Sequence, residues 1–354
     1  MSFLSKIKEK FLTKSDMYNF YKDEFYKNEK RYANLDKKVD KYHNEFKKSQ
    51  REYRKVSRRN AKLEKSNYNL FNTLFLYYDL KPKGILKDVQ EFCVEILDFV
   101  HRVCEKHDID YWMDYGSLLG AVRHGGFIPW DDDMDLGMLR KDFDKFLDII
   151  DDEIKSNGLE DKLNVRKRGA NAKGYIHTFL QISYRIPDEN DSDNYIALAA
   201  IDIFPYDFIN SYDESTTEKF GNSKIEYQEK LKSGMSRDEA VIKYLEDFDI
   251  QIDDGKYIIS AVESVRGPNN SYKLYYYKKE NIFPLITVNF SGKEFSAPND
   301  CDYYLKSLYS DAYHQMPEIA HFHLRVPDLA KHENIEELFK THLEFIRNVN
   351  ENFS

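Results

Sequence analysis

From Tyr18 to Tyr77 apolar residues recur in a heptad spacing without a slip. The a positions are Tyr18, Phe25, Tyr32, Val39, Phe46, Tyr53, Asn60, Asn67 and Leu74; the d positions are Tyr21, Asn28, Leu35, Tyr42, Ser49, Val56, Leu63, Leu70 and Tyr77. Fourteen of these 18 are apolar, and no Pro or Gly interrupts the segment, so the pattern predicts one long helix with a coiled-coil seam over residues 15–80. Asn60 and Asn67 at successive a positions weaken the seam but fix register and favour two strands. The competing expectation is the same helix folded back on a globular domain. Ahead of it, Phe3, Leu4, Ile7, Phe11 and Leu12 share a face ringed by Lys6, Lys8 and Lys10, which predicts a short amphipathic segment over 1–14 able to lie on an anionic membrane.

Lys81-Pro82-Lys83-Gly84 breaks the heptads and marks a domain boundary, with a second domain over 84–354. Ile85, Val89, Phe92, Ile96, Phe99, Val100 and Val103 then recur at helical spacing. Asp110 to Tyr115 reads as a short strand, LLGAVR as a helix after a Gly-Ser turn, Met134 to Leu136 as a strand and Lys141 to Ile154 as a helix. Ala200 to Phe204 reads as a buried strand closed by Pro205; residues 213–267 are charged and helical. Pro284 to Phe295 predicts a hairpin turning at Ser291-Gly292, and Ile335 to Val349 a terminal helix.

Composition adds a division of labour. The 354 residues carry a net charge of −9, but Met1 to Leu80 has 20 Lys and Arg against 11 Asp and Glu, leaving 33 against 51 in the rest. Aromatic content of 15% supports a sizeable core, while a mean hydropathy of −0.71 and no run of about 20 apolar residues argue against a membrane span. Lysines interleave the apolar residues of the start, so no signal peptide is indicated. The three cysteines lack metal-ligand or disulfide spacing, and a cytoplasmic location is expected, with peripheral contact at the inner face of the membrane.

The chemistry concentrates in YGSLLGAVRHGGFIPWDDDMDLG, Tyr115 to Gly137. Asp131, Asp132, Asp133 and Asp135 would repel one another unless a cation or open solvent offsets them, and all-oxygen ligation suits Mg²⁺ or Mn²⁺. On a strand, Asp133 and Asp135 share a face and can hold one metal between them. Asp202, bracketed by Ile201 and Ile203, is the natural third ligand if its strand pairs beside the first. Asp132 is expected to face the other way and be structural. Gly116 and Ser117 open a helix, whose unpaired amides suit a phosphate. Arg123, His124 and Gly126 complete the expected anion site, with Arg123 neutralising phosphate charge or, alternatively, pairing with an aspartate.

These residues resemble the signature of the LicD family, bacterial phosphotransferases related to fukutin and the fukutin-related protein. IDIFPYD (Ile201 to Asp207) is similar to the family's second acidic strand, and FSGKEFSAPNDCDYYLKSLYSDAY (Phe290 to Tyr313) to its C-terminal block. Where the family commonly has Tyr-Gly-Asp, this chain reads Tyr309-Ser310-Asp311, a departure that bears on the local backbone. The resemblance implies an α+β, nucleotidyltransferase-like catalytic domain with a mixed sheet and flanking helices, preceded by the long coiled-coil helix. It further implies Asp131, Asp133, Asp135 and Asp202 as the metal-binding acids. The activity implied is transfer of a substituted phosphate, such as phosphocholine or a polyol phosphate, from a CDP-linked donor to a hydroxyl of a cell-surface glycan or its lipid-linked precursor.

On that basis Asp133, Asp135 and Asp202 are the expected metal ligands, with Asp131 or Asp202 taking the acceptor's proton. The rival readings are a metal-dependent glycosyltransferase, which also uses a DxD pair, and a non-catalytic coiled-coil scaffold at a membrane surface. A homodimer through the coil is expected, and nucleic acid is not an expected partner, since the coil mixes charge signs and no aromatic-basic sheet motif is present.

Overall fold

The computed structural model describes residues 14–78, 80–166, 169–170, 176–177, 179–188, 191–263, 274–315 and 325–353. The amphipathic face expected over residues 1–14 lies outside them. The chain divides into two compact units, Met1–Thr73 and Leu74–Ser354.

Within the first unit a single helix, α1 (Lys14–Tyr77), follows the heptads without a break for 64 residues, about 96 Å at 1.5 Å per residue. Its last turn belongs to the second unit, where Phe75 packs on His124 and Trp130 at centroid distances of 5.4 and 6.1 Å. No helix among the described residues is long and apolar enough to cross a membrane.

The second unit is mixed α+β. Its chain order is α2 (Ile85–Lys106), β1 (Trp112–Met113), α3 (Tyr115–His124), β2 (Met134–Leu139), α4 (Arg140–Ser156), β3 (Leu163–Arg166), β4 (Gly169–Ala170), β5 (Ile176–His177), β6 (Leu180–Asp188) and β7 (Asp191–Ile209). There follow α5 (Glu214–Lys232), α6 (Arg237–Asp247), β8 (Tyr257–Ser260), β9 (Tyr276–Lys278), α7 (Lys279–Ile282), β10 (Ile286–Phe290), β11 (Lys293–Ala297), α8 (Cys301–Tyr309), α9 (Arg325–Leu329) and α10 (Ile335–Glu351). The main sheet runs β1-β2-β7-β6-β3, with β8 and β9 attached to β7. Among the described residues only β2 and β7 pair in parallel, and the other pairs of this sheet are antiparallel.

The expected strand over Ala200 to Phe204 is the middle of the 19-residue β7, and Pro205 does not close it. Proline lacks the ladder N–H, and here none is missed. Opposite β2, β6 pairs only as far as Ile203 and β8 takes over from Tyr206, so Pro205 sits in the gap between two neighbours. The hairpin forms with Ser291 and Gly292 at its turn, both at positive φ. Within 213–267 lie the two helices α5 and α6, but also the sheet strand β8.

The core forms around α2, whose apolar stripe is fully buried from Val89 to Val103, with the Phe92 ring 4.7 Å from Tyr184 of β6 and 6.0 Å from Phe339 of α10. A second apolar cluster joins Phe220 and Tyr227 of α5 to Val241 and Tyr244 of α6 and Ile259 of β8. A buried ion cluster lies between them. Arg140 grips Asp207 through Nε and Nη2 at 2.5 and 2.9 Å and Glu263 through Nη1 and Nη2 at 2.8 and 2.9 Å. Arg237 adds a third contact, Nη2 to Glu263 Oε1 at 3.0 Å, and the Tyr244 hydroxyl donates to Asp207 Oδ2 at 2.8 Å. Burial would raise the Glu263 carboxyl, but the two guanidinium groups outweigh it and hold the group at about 2.

A half-buried acid makes stability depend on pH. Burial, then the neighbouring charge of Asp110, pushes Asp142 from its ordinary 3.8 up to about 6. The folded state therefore binds this proton more tightly than the unfolded one. The contribution favours folding below about pH 4 and is lost as pH rises through about 6. Asp142→Asn is expected to raise the melting temperature at about pH 7.5 and to converge with the parent near pH 4, which thermal melts across that range would measure. An unchanged difference at both pH values would refute this.

Candidate active site

Strand register assembles the site. In the parallel pair β2 and β7, Asp135 stands directly opposite Asp202. Across the other edge of β7, Asp202 stands opposite Gln181 of β6, and Gln181 opposite Arg166 of β3. Paired residues in a sheet project from the same face, so four side chains from four strands form one transverse row. Hydrogen bonds run along it: Arg166 Nη2 donates to Gln181 Oε1 at 2.6 Å, and Gln181 Nε2 donates to Asp202 Oδ1 at 2.6 Å. Gln181 thus fixes one oxygen of Asp202. Arg166 is partly desolvated, which lowers its pKa, with the charge of Asp202 opposing that shift.

Asp135 carries the electrostatic load. Burial, then the charges of Asp133 and Asp202, and behind them Asp114 and Asp131, push its carboxyl well above the ordinary range. Its backbone N–H donates to the Ser117 hydroxyl at 2.8 Å, locking the first turn of α3 to the start of β2. Ser117 is buried and engaged in this brace. Gly116 lies so close to the acids that a Cβ there would stand 2.9 Å from Asp131 Oδ2.

Asp114, absent from the sequence expectations, caps α3. Its carboxylate is fully buried and accepts from Tyr115 N at 2.7 Å, from the Tyr206 hydroxyl at 2.5 Å and from the Tyr304 hydroxyl at 2.7 Å. Burial wins over these three donors and raises its pKa to about 6. An acid immediately before a helix start is a cap signal, and Asp114 directly precedes Tyr115, the first residue of α3.

Asp131, Asp132 and Asp133 precede β2 rather than belonging to it, and each offers a carboxylate oxygen within 4.8 Å of the others. Strand alternation therefore does not apply to Asp132, which is buried yet converges with its neighbours instead of facing away. Gln90 of α2 holds this loop from below, donating to the carbonyls of Asp131 at 2.7 Å and Ile128 at 3.3 Å.

Arg123 and His124 occupy the far end of α3. Arg123 donates through Nη1 to the carbonyl of Tyr313 at 2.8 Å, donates through Nε to His124 Nε2 at 3.0 Å, and lies 4.6 Å over the Phe75 ring. Burial lowers Arg123 to about 10, which leaves it charged at neutral pH. Burial and the Arg123 charge lower His124 to about 4, which leaves it neutral. Gly125 is the left-handed cap of α3, and Gly126 packs where a Cβ would stand 2.7 Å from Ser291 Oγ. The structure thus places Gly116, Ser117, Asp131, Asp133, Asp135 and Asp202 together, and Arg123, His124 and Gly126 in a separate contact network that ties α3 to Phe75, Tyr313 and the hairpin.

Tyr309, at the end of α8, shows a partly exposed ring. Burial first, then the charges of Asp135, Asp114 and Asp131, push its pKa well up. The next residue, Ser310, has φ 75, ψ 173. That region favours glycine, the residue common at this place in the similar family, so the departure noted from the sequence falls on a strained backbone. Ser310→Gly is expected to stabilise the protein by about 1 kcal/mol, measured by denaturant unfolding. A loss of stability would show that the serine side chain holds the turn.

Residues 108–238 match the LicD/FKTN/FKRP nucleotidyltransferase domain family, a segment that contains the cap, the helix start and all the acids of the cluster. Among characterised relatives, the lipopolysaccharide cholinephosphotransferase LicD of Haemophilus influenzae is 46% identical over 67 residues, 19% of this chain and 25% of that one. The human ribitol 5-phosphate transferase FKRP is 50% identical over 48 residues, 14% of this chain and 10% of that one. An uncharacterised protein of Rickettsia typhi is 43% identical over 56 residues. The chain thus aligns with a quarter or less of the length of these relatives.

Proposed function

We propose that the protein transfers a substituted phosphate, phosphocholine or a polyol phosphate, from a CDP-linked donor to a hydroxyl of a cell-surface glycan or its lipid-linked precursor, on a nucleotidyltransferase-like fold. The observation that carries this reading is the in-register facing of Asp135 and Asp202 with Asp133 beside them. So many carboxylates at one place, one of them strongly raised, favour a hard divalent cation, and their oxygen-only donor set fits Mg²⁺ or Mn²⁺. Asp133, Asp135 and Asp202 would hold that ion, and when bound it would neutralise charge on the donor diphosphate.

The rest falls to the chain. Gly116 and Ser117 in the first turn of α3 lie beside the acids, Gly116 close to Asp131 and the Ser117 hydroxyl on the Asp135 amide, and the orphan N–H groups and dipole of a helix start suit a phosphate oxygen. Arg166, on the open end of the row, supplies a cation for the same anion. The acceptor oxygen attacks the phosphorus bearing the substituent, the bond to the bridging oxygen breaks, and CMP departs with the electron pair. Of the two acids open as proton acceptors, Asp131 fits better, because Gln181 already donates to one oxygen of Asp202. Positioning supplies most of the rate.

The test is incubation with CDP-choline, CDP-ribitol, CDP-glycerol and nucleotide-sugars, with and without Mg²⁺, read by product mass and by thermal shift. Metal-dependent CMP release from a CDP-linked donor supports the reading. Transfer of a sugar without phosphate, or no stabilisation by any donor with Mg²⁺, overturns it.

A further inference from the structure

In the first unit the twelve apolar a and d side chains from Tyr18 to Leu70 are each 51–74% exposed. Seven of them are aromatic, and such rings bury about 150–250 Å² apiece when covered. Their exposed part alone amounts to roughly 800 Å² on one helix, one partner's share of a standard-size interface. We infer that this seam is closed by the same seam of a second copy of the chain, in a parallel, in-register, two-stranded coiled coil.

The polar layers decide the orientation. A parallel pair sets every a and d residue against itself, so Asn28, Ser49, Asn60 and Asn67 each meet an identical, hydrogen-bonding partner. An antiparallel pair sets a against d, and Asn28 is the only asparagine at a d position. At most one of Asn60 and Asn67 then finds an asparagine, and the other is buried against an apolar ring or a leucine.

The flanking charges agree. In the parallel register, g faces e of the next heptad, pairing Arg31 with Asp36 and Arg59 with Glu64. Its one like-charged pair, Glu24 and Glu29, is relieved within each helix by Lys27, whose Nζ is 2.9 Å from Glu24. In the antiparallel register of fullest overlap, Lys38 would meet Arg59, Glu45 would meet Glu52, and Glu29 would meet Glu64. Three like-charged pairs replace two opposite ones. Because two consecutive a-position asparagines favour two strands over three or four, the occupant is one further copy.

The full-length chain is tested by light scattering and by cysteine cross-linking at the seam. The expected mass is twice 42.2 kDa. Asn60→Cys should convert to a covalent dimer on mild oxidation while the parent chain, run beside it, does not, because only a parallel register brings residue 60 to its own copy. Val39→Asp with Val56→Asp should halve the mass while the melting transition of the Leu74–Ser354 unit stays in place. A parent chain of single mass overturns the inference. So does a dimer in which Asn60→Cys fails to cross-link to itself, whether or not it cross-links to Leu35→Cys.

Discussion

Asp135→Asn is expected to cut the proposed transfer roughly 10²–10³-fold, the usual cost of removing one preorganised electrostatic group, while raising the melting temperature of the protein in EDTA. Both effects have one cause. In the absence of a cation, Asp135 is pressed by burial and by the charges of Asp133 and Asp202. Asparagine keeps its size and the backbone bond to Ser117 while removing that repulsion. With Mg²⁺ present the order of stabilities should reverse, because only the parent binds the ion tightly and gains from mass action. CMP release and paired melts with and without Mg²⁺ measure this. A variant with near-normal turnover would remove Asp135 from the metal set; one less stable in EDTA would show that its charge is already compensated.

Arg140→Met is expected to be among the most damaging substitutions in the second unit for stability. It strips the principal cation from Asp207 and Glu263, which are 1% and 0% exposed. Breaking a buried pair by removing one partner costs about 3–5 kcal/mol, on the order of 10 °C in melting temperature for a unit of this size. Lysine should not rescue, because one ammonium cannot make the two bidentate contacts that the guanidinium makes. Replacing Arg140 together with both acids, Arg140→Met with Asp207→Leu and Glu263→Leu, should recover much of the loss, since Arg237 keeps its pairing with Asp144 at 2.9 Å. Chemical denaturation of the three variants measures it. A loss below about 1 kcal/mol for Arg140→Met would mean that the orphaned acids simply take up protons.

Much of this architecture was legible where one local pattern dominates. Heptads gave α1, helical spacing after Gly84 gave α2, and Ser291-Gly292 gave the hairpin turn. Asp202 could be singled out because an acid between Ile201 and Ile203 needs a reason. What stayed hidden depends on register. Nothing near Arg166 or Gln181 in sequence says that they stand beside Asp202, since that relation exists only once β3, β6 and β7 are paired. The length of β7 was missed because its polar start, Asp191 to Tyr195, reads as loop and Pro205 reads as a stop. Asp132 escapes strand alternation because β2 begins only two residues after it. Arg123 pointed toward phosphate chemistry by its neighbours in sequence, yet its partners Phe75 and Tyr313 lie far away along the chain.

The transverse row has a consequence for folding. Asp135 and Asp202 become neighbours only after a loop of about seventy residues has closed, so the donor set is among the last things the chain can assemble. Uptake of the proposed cation would therefore be a clock for the docking of β2 against β7, and stopped-flow refolding in the presence of a reporter ion should show binding that coincides with the slowest phase rather than with collapse.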